Sequence, residues 1–272
     1  MVILMNLALY VFGFVPKGNL PGDLEIHGLE PDHKVIQEEF SDINAIVSHV
    51  PLSEFVGEEA ELRLQDIEWV APRAVNHQRA IEKISELSPI LPAQFGVLFS
   101  SRDNLEKFVC DNQLEILEFL SMASDKNELG VKVYWESLRA KRRLMETQFA
   151  GRLAQLTTLS SGARYFKEKQ LHSEIEKKST EALRNLMVKI STILSNISHS
   201  SRKRKVVIDD SSEEGRQIVA NWAFLVEKAR SDEFLSMVND LNSNFSEDGI
   251  SLRISGPWPP YSFVPGLIWE YN

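Results

Sequence analysis

The end of the chain restricts the fold more than any other stretch, because three prolines fall within four positions. Residues 254–263 have the sequence Ile-Ser-Gly-Pro-Trp-Pro-Pro-Tyr-Ser-Phe. Proline fixes φ and has no amide hydrogen to donate, so this segment cannot continue a helix or form a central strand, and we expect it to be extended. A stiff segment loses little conformational entropy on docking, and its aromatic side chains bring large apolar surfaces. We therefore predict an extended tail, residues 256–272, which docks in a groove of the protein's own domains or presents a surface to a partner through Trp258, Pro259, Pro260, Tyr261 and Phe263.

Length, composition and charge limit the classes of protein that fit. The 272 residues are 43% hydrophobic, enough to bury a sizeable core in one large or two modest domains, and we predict two. The net charge of −9 argues against a general nucleic-acid-binding protein, because neutralising phosphates requires a surplus of lysine and arginine on one face. The basic run Arg202–Lys205 is soon followed by acidic residues, so we interpret it as a solvated loop or strand end.

The single cysteine and the apolar N-terminus bear on where the protein works. Cys110 cannot form an intramolecular disulfide or a multi-cysteine metal site, and its place in a helical apolar pattern predicts a buried structural thiol. Residues 1–10 are apolar but lack a positively charged start and a cleavage site, so we predict a buried strand from Val2 to Val11 instead of a targeting segment. No apolar run has the length needed to span a bilayer, so we expect a soluble, cytoplasmic protein.

Hydrophobic periodicity predicts an α+β domain in residues 1–123. A strand that is apolar on both faces and a meander of short strands are followed by a helix, which Asp66 can cap. A strand broken near Pro92 comes next, and then a single helix from Ser101 to about Met122. This order predicts an antiparallel sheet with its helices on one face, similar to a ferredoxin-like sandwich.

Hydrophobic periodicity predicts a second α+β domain, with long helices, in residues 128–255. The predicted elements are a strand with alternating residues 131–136, a helical region at 138–198 that is interrupted at 160–162, strands at 205–209 and 217–226, a helix at 232–241, and an edge strand at 250–254. The resulting order, β-α-α-β-β-α-β, matches a second ferredoxin-like unit enlarged by one helix pair. The apolar stripe on the second long helix could face an internal core or a coiled-coil partner.

No motif in the chain predicts a catalytic, cofactor or metal site. The glycine spacing at residues 13–18 is that of a phosphate-binding loop, but Asn19 and Leu20 stand where lysine and a hydroxyl residue are needed. Six histidines are scattered over different predicted elements, so no spacing proposes a metal site. We therefore predict no cofactor and no enzymatic activity.

The tail also carries a resemblance to a known family. The ending GPWPPYSF after a strand is similar to the C-terminal signature of the gas vesicle protein F/L family. Three earlier stretches, taken in the same order along the chain, support this resemblance: Trp69–Ala74 with His77, Leu91–Gly96, and Gly162–Phe166 with Lys169. The resemblance implies an accessory protein of gas vesicle assembly that is cytoplasmic and associated with the gas vesicle. Its implied partners are the hydrophobic shell protein, which it would keep from aggregating during nucleation, and other accessory gas vesicle proteins; nucleic acid and a membrane bilayer are not among them.

Aromatic residues of the second domain provide a candidate interaction surface. These are Tyr134, Trp135, Trp222 and Phe224, with core packing as the alternative explanation. A second hypothesis for function is a ligand-binding or catalytic α+β protein whose site lies between the two units, because ferredoxin-like sheets host many functions.

Overall fold

The computed structural model describes residues 7–30, 32–206 and 215–269, which fall into two compact units. Unit 1 contains the chain up to Asn127 and the chain from Trp258 onward. Unit 2 is Glu128–Pro257. The tail, which the sequence analysis set apart as its own segment, is therefore grouped with the unit in which the chain begins.

Unit 1 is an α+β unit built on one antiparallel sheet. Its elements are β1 (Leu7–Pro16), β2 (Ile36–Phe40), β3 (Ile43–Pro51), α1 (Leu52–Phe55), α2 (Glu58–Arg63), α3 (Ile67–Leu87), β4 (Leu91–Pro92), β5 (Leu98–Phe99), α4 (Arg102–Asp111) and α5 (Gln113–Ala123). The strand order is β2-β3-β1-β4, and β5 also pairs with β1. The predicted N-terminal strand is thus observed from Leu7 and continues past its predicted end to Pro16, while residues 2–6 lie outside the described residues.

The central strand β1 is buried on both faces and contains a bulge. Its pairing with β3 skips Phe12, and one extra residue reverses the face on which every later side chain lies. Tyr10 and Val15, five positions apart, consequently belong to the same core cluster against α3. Phe14 turns the other way and stacks on Phe108 of α4, with ring centroids 5.9 Å apart. This arrangement explains the apolar character of both faces that the sequence showed.

Helices α3 and α4 begin at the residues that the sequence predicted. The Asp66 side chain accepts a hydrogen bond from the Glu68 amide at the start of α3, and the Ser101 side chain accepts one from the Asn104 amide at the start of α4. The single helix predicted after Ser101 is instead two helices, α4 and α5. Asn112 separates them: its φ of −115° and ψ of 13° are not helical, and its side-chain amide donates to the Phe108 carbonyl at 2.8 Å.

The predicted burial of the cysteine is wrong. Cys110 is exposed on α4, whereas its neighbour Val109 is buried. Successive helical residues differ by about 100° around the axis, so only one of the two can face the sheet.

Unit 2 has the ferredoxin-like order that the sequence predicted. Its elements are β6 (Lys126–Glu136, which begins at the end of unit 1), α6 (Ser137–Thr147), α7 (Ala150–Leu156), α8 (Ser161–Asn196), β7 (Ser200–Lys203), β8 (Arg216–Glu227), α9 (Ser231–Phe245) and β9 (Ile250–Trp258). The strand order is β7-β8-β6-β9, which puts β9 at an edge, as expected. Together with unit 1, this confirms the predicted α+β class with two antiparallel sheets.

The long helical region of unit 2 differs from its prediction in two respects. The stretch predicted as one helix before residue 160 is divided into α6 and α7. A small separate core between these helices and α8 contains Phe149, Leu156, Leu171 and Ile175. The predicted apolar stripe of α8 packs on the main core of unit 2, which answers the question of what that stripe faces. The strand predicted at 205–209 is observed earlier, at Ser200–Lys203, and residues 207–209 lie outside the described residues.

The bulge in β1 depends on glycine at position 13. A Cβ atom built on Gly13 would lie 2.5 Å from the Leu91 carbonyl oxygen, which belongs to the paired strand β4. We expect Gly13→Ala to destabilise unit 1 by about 1–3 kcal/mol, the usual range for forcing extra volume into a packed interior. Urea denaturation measures this change.

Gly22→Ala is the matched control, because no atom lies within 4 Å of the Cβ position at Gly22. An equal effect of the two alanine variants would contradict the role of close strand approach at Gly13.

Candidate functional site

The tail runs from the end of β9 along unit 1. A short 3-10 turn, Tyr261–Phe263, follows the buried prolines Pro259 and Pro260. Tyr261 packs against the core of unit 1, and its hydroxyl donates to Oε1 of Gln78 on α3 at 2.9 Å. Phe263 is only 8% exposed. The structure therefore places this part of the tail on the protein's own first unit.

The last described residue, Trp269, contacts two aromatic rings of unit 1. The Trp269 ring stacks on Phe14 and on Phe108, with centroid distances of 5.8 and 5.0 Å. Trp258, the tryptophan that the sequence analysis singled out, is half-buried. Sequence reasoning missed Trp269 because it lies six residues beyond the proline-rich stretch, although the apolar residues at 267 and 269 were a signal for a second docking point.

The aromatic quartet of unit 2 is mostly core. Trp135, Trp222 and Phe224 are buried in the main cluster of that unit. Tyr134 points from the other side of β6, is half-buried, and has the Arg253 guanidinium 4.8 Å from its ring centroid. Core packing, the alternative given above, therefore describes the three buried rings.

A buried polar network lies under the tail in unit 1. The Tyr10 hydroxyl is 2.8 Å from Nδ1 of His77, and the Gly96 amide donates to the same hydroxyl oxygen at 3.2 Å. That oxygen accepts from Gly96, and the hydroxyl hydrogen can point to Nδ1 when the imidazole hydrogen is on Nε2. His77 also has a backbone hydrogen bond with Ala93. His77 is thus a hydrogen-bonded core histidine.

Burial governs the protonation of this network. Burial lowers the pKa of His77 to about 4, and the hydrogen bond with Ala93 opposes that shift only in part. Burial also raises the pKa of Tyr10 and of Tyr261. All three rings are therefore neutral at pH 7. Tyr10 and His77 bond to each other and Tyr261 bonds to Gln78, so their polar groups are satisfied inside an apolar core.

An exposed apolar ridge lies where α2 meets α3. Leu62, Leu64 and Ile67 fall within six consecutive residues, and Leu62 and Ile67 are 71% and 72% exposed. Backbone hydrogen bonds from the Gln65 amide to Leu62 and from the Asp66 amide to Arg63 hold the turn between them. Sequence reasoning missed this ridge, because periodicity over so few residues cannot tell which leucines are exposed.

Among residues 7–30, 32–206 and 215–269, no group of three or more His, Cys, Asp or Glu side chains is arranged to hold a metal ion. Within the same ranges, no helix has the length and apolar character needed to cross a membrane.

By its fold the chain is a protein of two ferredoxin-like α+β units, and its aromatic tail packs on the first unit. The family model described as gas vesicle synthesis protein GvpL/GvpF matches residues 8–265. The chain therefore belongs to the GvpL/GvpF family of gas vesicle proteins, which confirms the resemblance stated from the sequence.

Gas vesicle proteins named L and gas vesicle proteins named F both match this chain. Gas vesicle protein L of Streptomyces sp. (strain CB03234) is 26% identical over 224 residues, which cover 82% of this chain and 80% of the relative. Gas vesicle protein F1 of Halobacterium salinarum is 20% identical over 259 residues, which cover 94% of this chain and 92% of the relative.

Solved structures of the family share the fold. The crystal structure of the gas vesicle protein GvpF from Anabaena sp. PCC7120 has a TM-score of 0.66 at 15% identity, covering 95% of this chain and 98% of that chain. GvpF from Microcystis aeruginosa has a TM-score of 0.61 at 15% identity, covering 95% and 99%.

Because the tail is docked, we expect alanine substitutions at two of its aromatic residues to differ in their effect on the free energy of unfolding. We expect Phe263→Ala to lower the free energy of unfolding of unit 1 by about 3 kcal/mol, because a buried phenylalanine side chain leaves a cavity. Trp258→Ala should cost about 1 kcal/mol, since half-buried side chains contribute less. Urea denaturation of the two variants tests this order, and a larger loss for Trp258→Ala would contradict it.

The buried imidazole predicts a pH dependence of stability. Between its unfolded pKa of about 6.5 and its folded pKa of about 4, only the unfolded chain binds a proton at His77. The free energy of unfolding should therefore decrease as the pH falls from about 6.5 to about 4, by roughly 3 kcal/mol from this group. Urea denaturation at a series of pH values measures the slope.

His77→Gln should flatten that slope, because it removes the ionisable ring. His172→Gln is the control, since His172 is exposed on α8 and should leave the slope unchanged. An unaltered slope in His77→Gln would contradict the assignment.

Proposed function

We propose that this protein is an assembly factor that binds the hydrophobic gas vesicle shell protein and keeps it from aggregating during nucleation. The family match over residues 8–265 is the observation that carries the proposal. The protein acts in the cytoplasm at the forming vesicle, and other accessory gas vesicle proteins are further partners.

Physical chemistry supports a need for such a partner. A shell that holds gas must present apolar surface, and shell subunits expose this surface before they assemble. Exposed apolar patches and unpaired strands aggregate unless another protein covers them. A protein with an apolar contact surface of its own can therefore delay aggregation without catalysing any reaction.

The apolar ridge of unit 1 is the surface that we assign to the shell protein. Leu62 and Ile67 together offer two largely exposed aliphatic side chains on a hydrogen-bonded turn. Glu58, Glu61 and Asp66, which are exposed, lie close to them in the sequence. An apolar centre with a polar rim is the usual anatomy of a protein interface, and the rim keeps the free protein soluble.

A non-enzymatic role fits the chemistry of the titratable groups in unit 1. The groups with the largest pKa shifts are the rings of Tyr10, His77 and Tyr261. Their hydroxyl and imidazole groups bond to one another, to Gln78 and to backbone atoms, so they stabilise the core under the tail.

The proposal predicts that the ridge protects the shell protein. Purified shell protein diluted from denaturant should scatter less light when this chain is present in equal amount. The double variant Leu62→Ser/Ile67→Ser should lose most of that protection, because burying two leucine-sized side chains contributes roughly 3–6 kcal/mol.

Leu114→Ser/Leu138→Ser is the matched control, since these leucines are 71% and 70% exposed and lie away from the ridge in the sequence. Equal light scattering with and without the parent protein would contradict the shell-binding role. Equal loss of protection in both double variants would contradict its assignment to the ridge.

A further inference from the structure

Charge is divided unevenly along this acidic chain. Residues 137–196, which contain α6, α7 and α8, have 12 lysines and arginines against five acidic residues, a net charge of +7. Because the whole chain has a net charge of −9, the remaining residues carry −16. The helices inserted into unit 2 are therefore a basic segment in an otherwise strongly acidic protein.

The outward face of α8 concentrates this charge. Lys169, Lys177 and Arg184 are all exposed, and they are spaced by eight and seven residues. Two helical turns contain about 7.2 residues, so the three cations lie along one face, over a length of about 22 Å. Phe166 and Val188, which are 69% and 62% exposed, lie on the same face beyond the first and last cation.

The opposite face of α8 is already used. Leu171 and Ile175 are buried in the small core with α6 and α7, and Ile190 and Leu194 are buried in the main core of unit 2. The helix is thus held in place by its inner face, and the outer face is presented to solvent with a fixed orientation.

Some basic residues of these helices form ion pairs, and the three cations on the outward face do not form one with any described residue. Arg152 pairs with Glu174 at 2.8 Å, and Arg164 pairs with Glu168 at 2.8 Å. Within the described part of the chain, no carboxylate lies within ion-pair distance of Lys169, Lys177 or Arg184. Their charge is therefore available to a partner.

We propose that the outward face of α8, defined by Phe166, Lys169, Lys177, Arg184 and Val188, binds an acidic helix of another protein. In a helix that packs along α8, the side chains that face α8 recur about every seven to eight residues. The three cations have the same spacing. Carboxylates at this interval meet the cations, and the apolar ends contact Phe166 and Val188. Complementary charge selects the partner and its register, and the apolar contacts add affinity.

Other polymers with negative charge fit this face less well. A nucleic acid would be repelled by the −16 carried by the rest of the chain. A membrane-surface helix needs a continuous apolar face, whereas Ser173 and Thr180 lie between the cations here. The inference is independent of the proposed shell contact, which lies on the ridge in unit 1.

Photo-crosslinking from position 166 tests the proposal in cells that form gas vesicles. The full-length protein carries p-benzoylphenylalanine in place of Phe166, and mass spectrometry identifies the cross-linked peptide. We expect a peptide from another protein, with net negative charge and with acidic residues at seven- to eight-residue intervals. The same probe at Leu114 in unit 1 should not capture that peptide.

A synthetic version of the captured peptide then measures affinity. The triple variant Lys169→Glu/Lys177→Glu/Arg184→Glu should weaken binding roughly tenfold or more, and raising the salt concentration should weaken binding to the parent protein. Arg79→Glu/Lys83→Glu/Lys107→Glu changes the net charge by the same amount at exposed positions of unit 1 and should leave binding unchanged.

Several outcomes would overturn the proposal. They are the absence of a cross-link from position 166, a cross-link to lipid, to nucleic acid or to a second copy of this chain, a captured peptide without net negative charge, and equal effects of the two triple variants.

Discussion

The burial of β1 on both faces is the constraint on which unit 1 depends. This strand pairs with β3, β4 and β5, so every pairing of the sheet except that of β2 with β3 involves it. The extra residue at Phe12 lets the same strand supply Tyr10 to the α3 side and Phe14 to the α4 side. The bulge decides which face of the sheet Phe14 occupies. Because Trp269 stacks on Phe14, the docking of the tail depends on the bulge.

Docking of the tail returns the end of the chain to the unit in which it starts. Unit 2 is consequently attached to unit 1 through both of its ends, by β6 and by the segment after β9. The entropy cost of closing such a long loop grows only slowly with its length, so a few buried contacts can offset it. Phe263, Tyr261 and Trp269 provide those contacts through burial, one hydrogen bond and ring stacking.

The sequence predicts the long, strongly patterned elements well and the local exceptions poorly. The helix after Asp66 and the strand around residues 217–226 have periodicity over many residues, and both are present as expected. The break at Asn112 is a change in the backbone angles of one residue, which hydrophobic periodicity does not encode. Alternation likewise places Trp135 and Tyr134 on opposite faces of β6, but it cannot tell which face α8 and α9 cover, so a core tryptophan resembled a surface one.

The two proposed surfaces are chemically distinct, and this difference gives them separate partners. The segment that forms the apolar ridge at Leu62 and Ile67 is rich in exposed carboxylates, so an acidic helix would meet like charge there. The basic face of α8 has apolar side chains only at its ends, so it cannot cover a continuous hydrophobic surface. Specificity is a difference between affinities, and each surface disfavours the partner of the other. A protein with two such surfaces can hold a hydrophobic subunit and an acidic accessory protein at the same time, which is a useful property in an assembly factor.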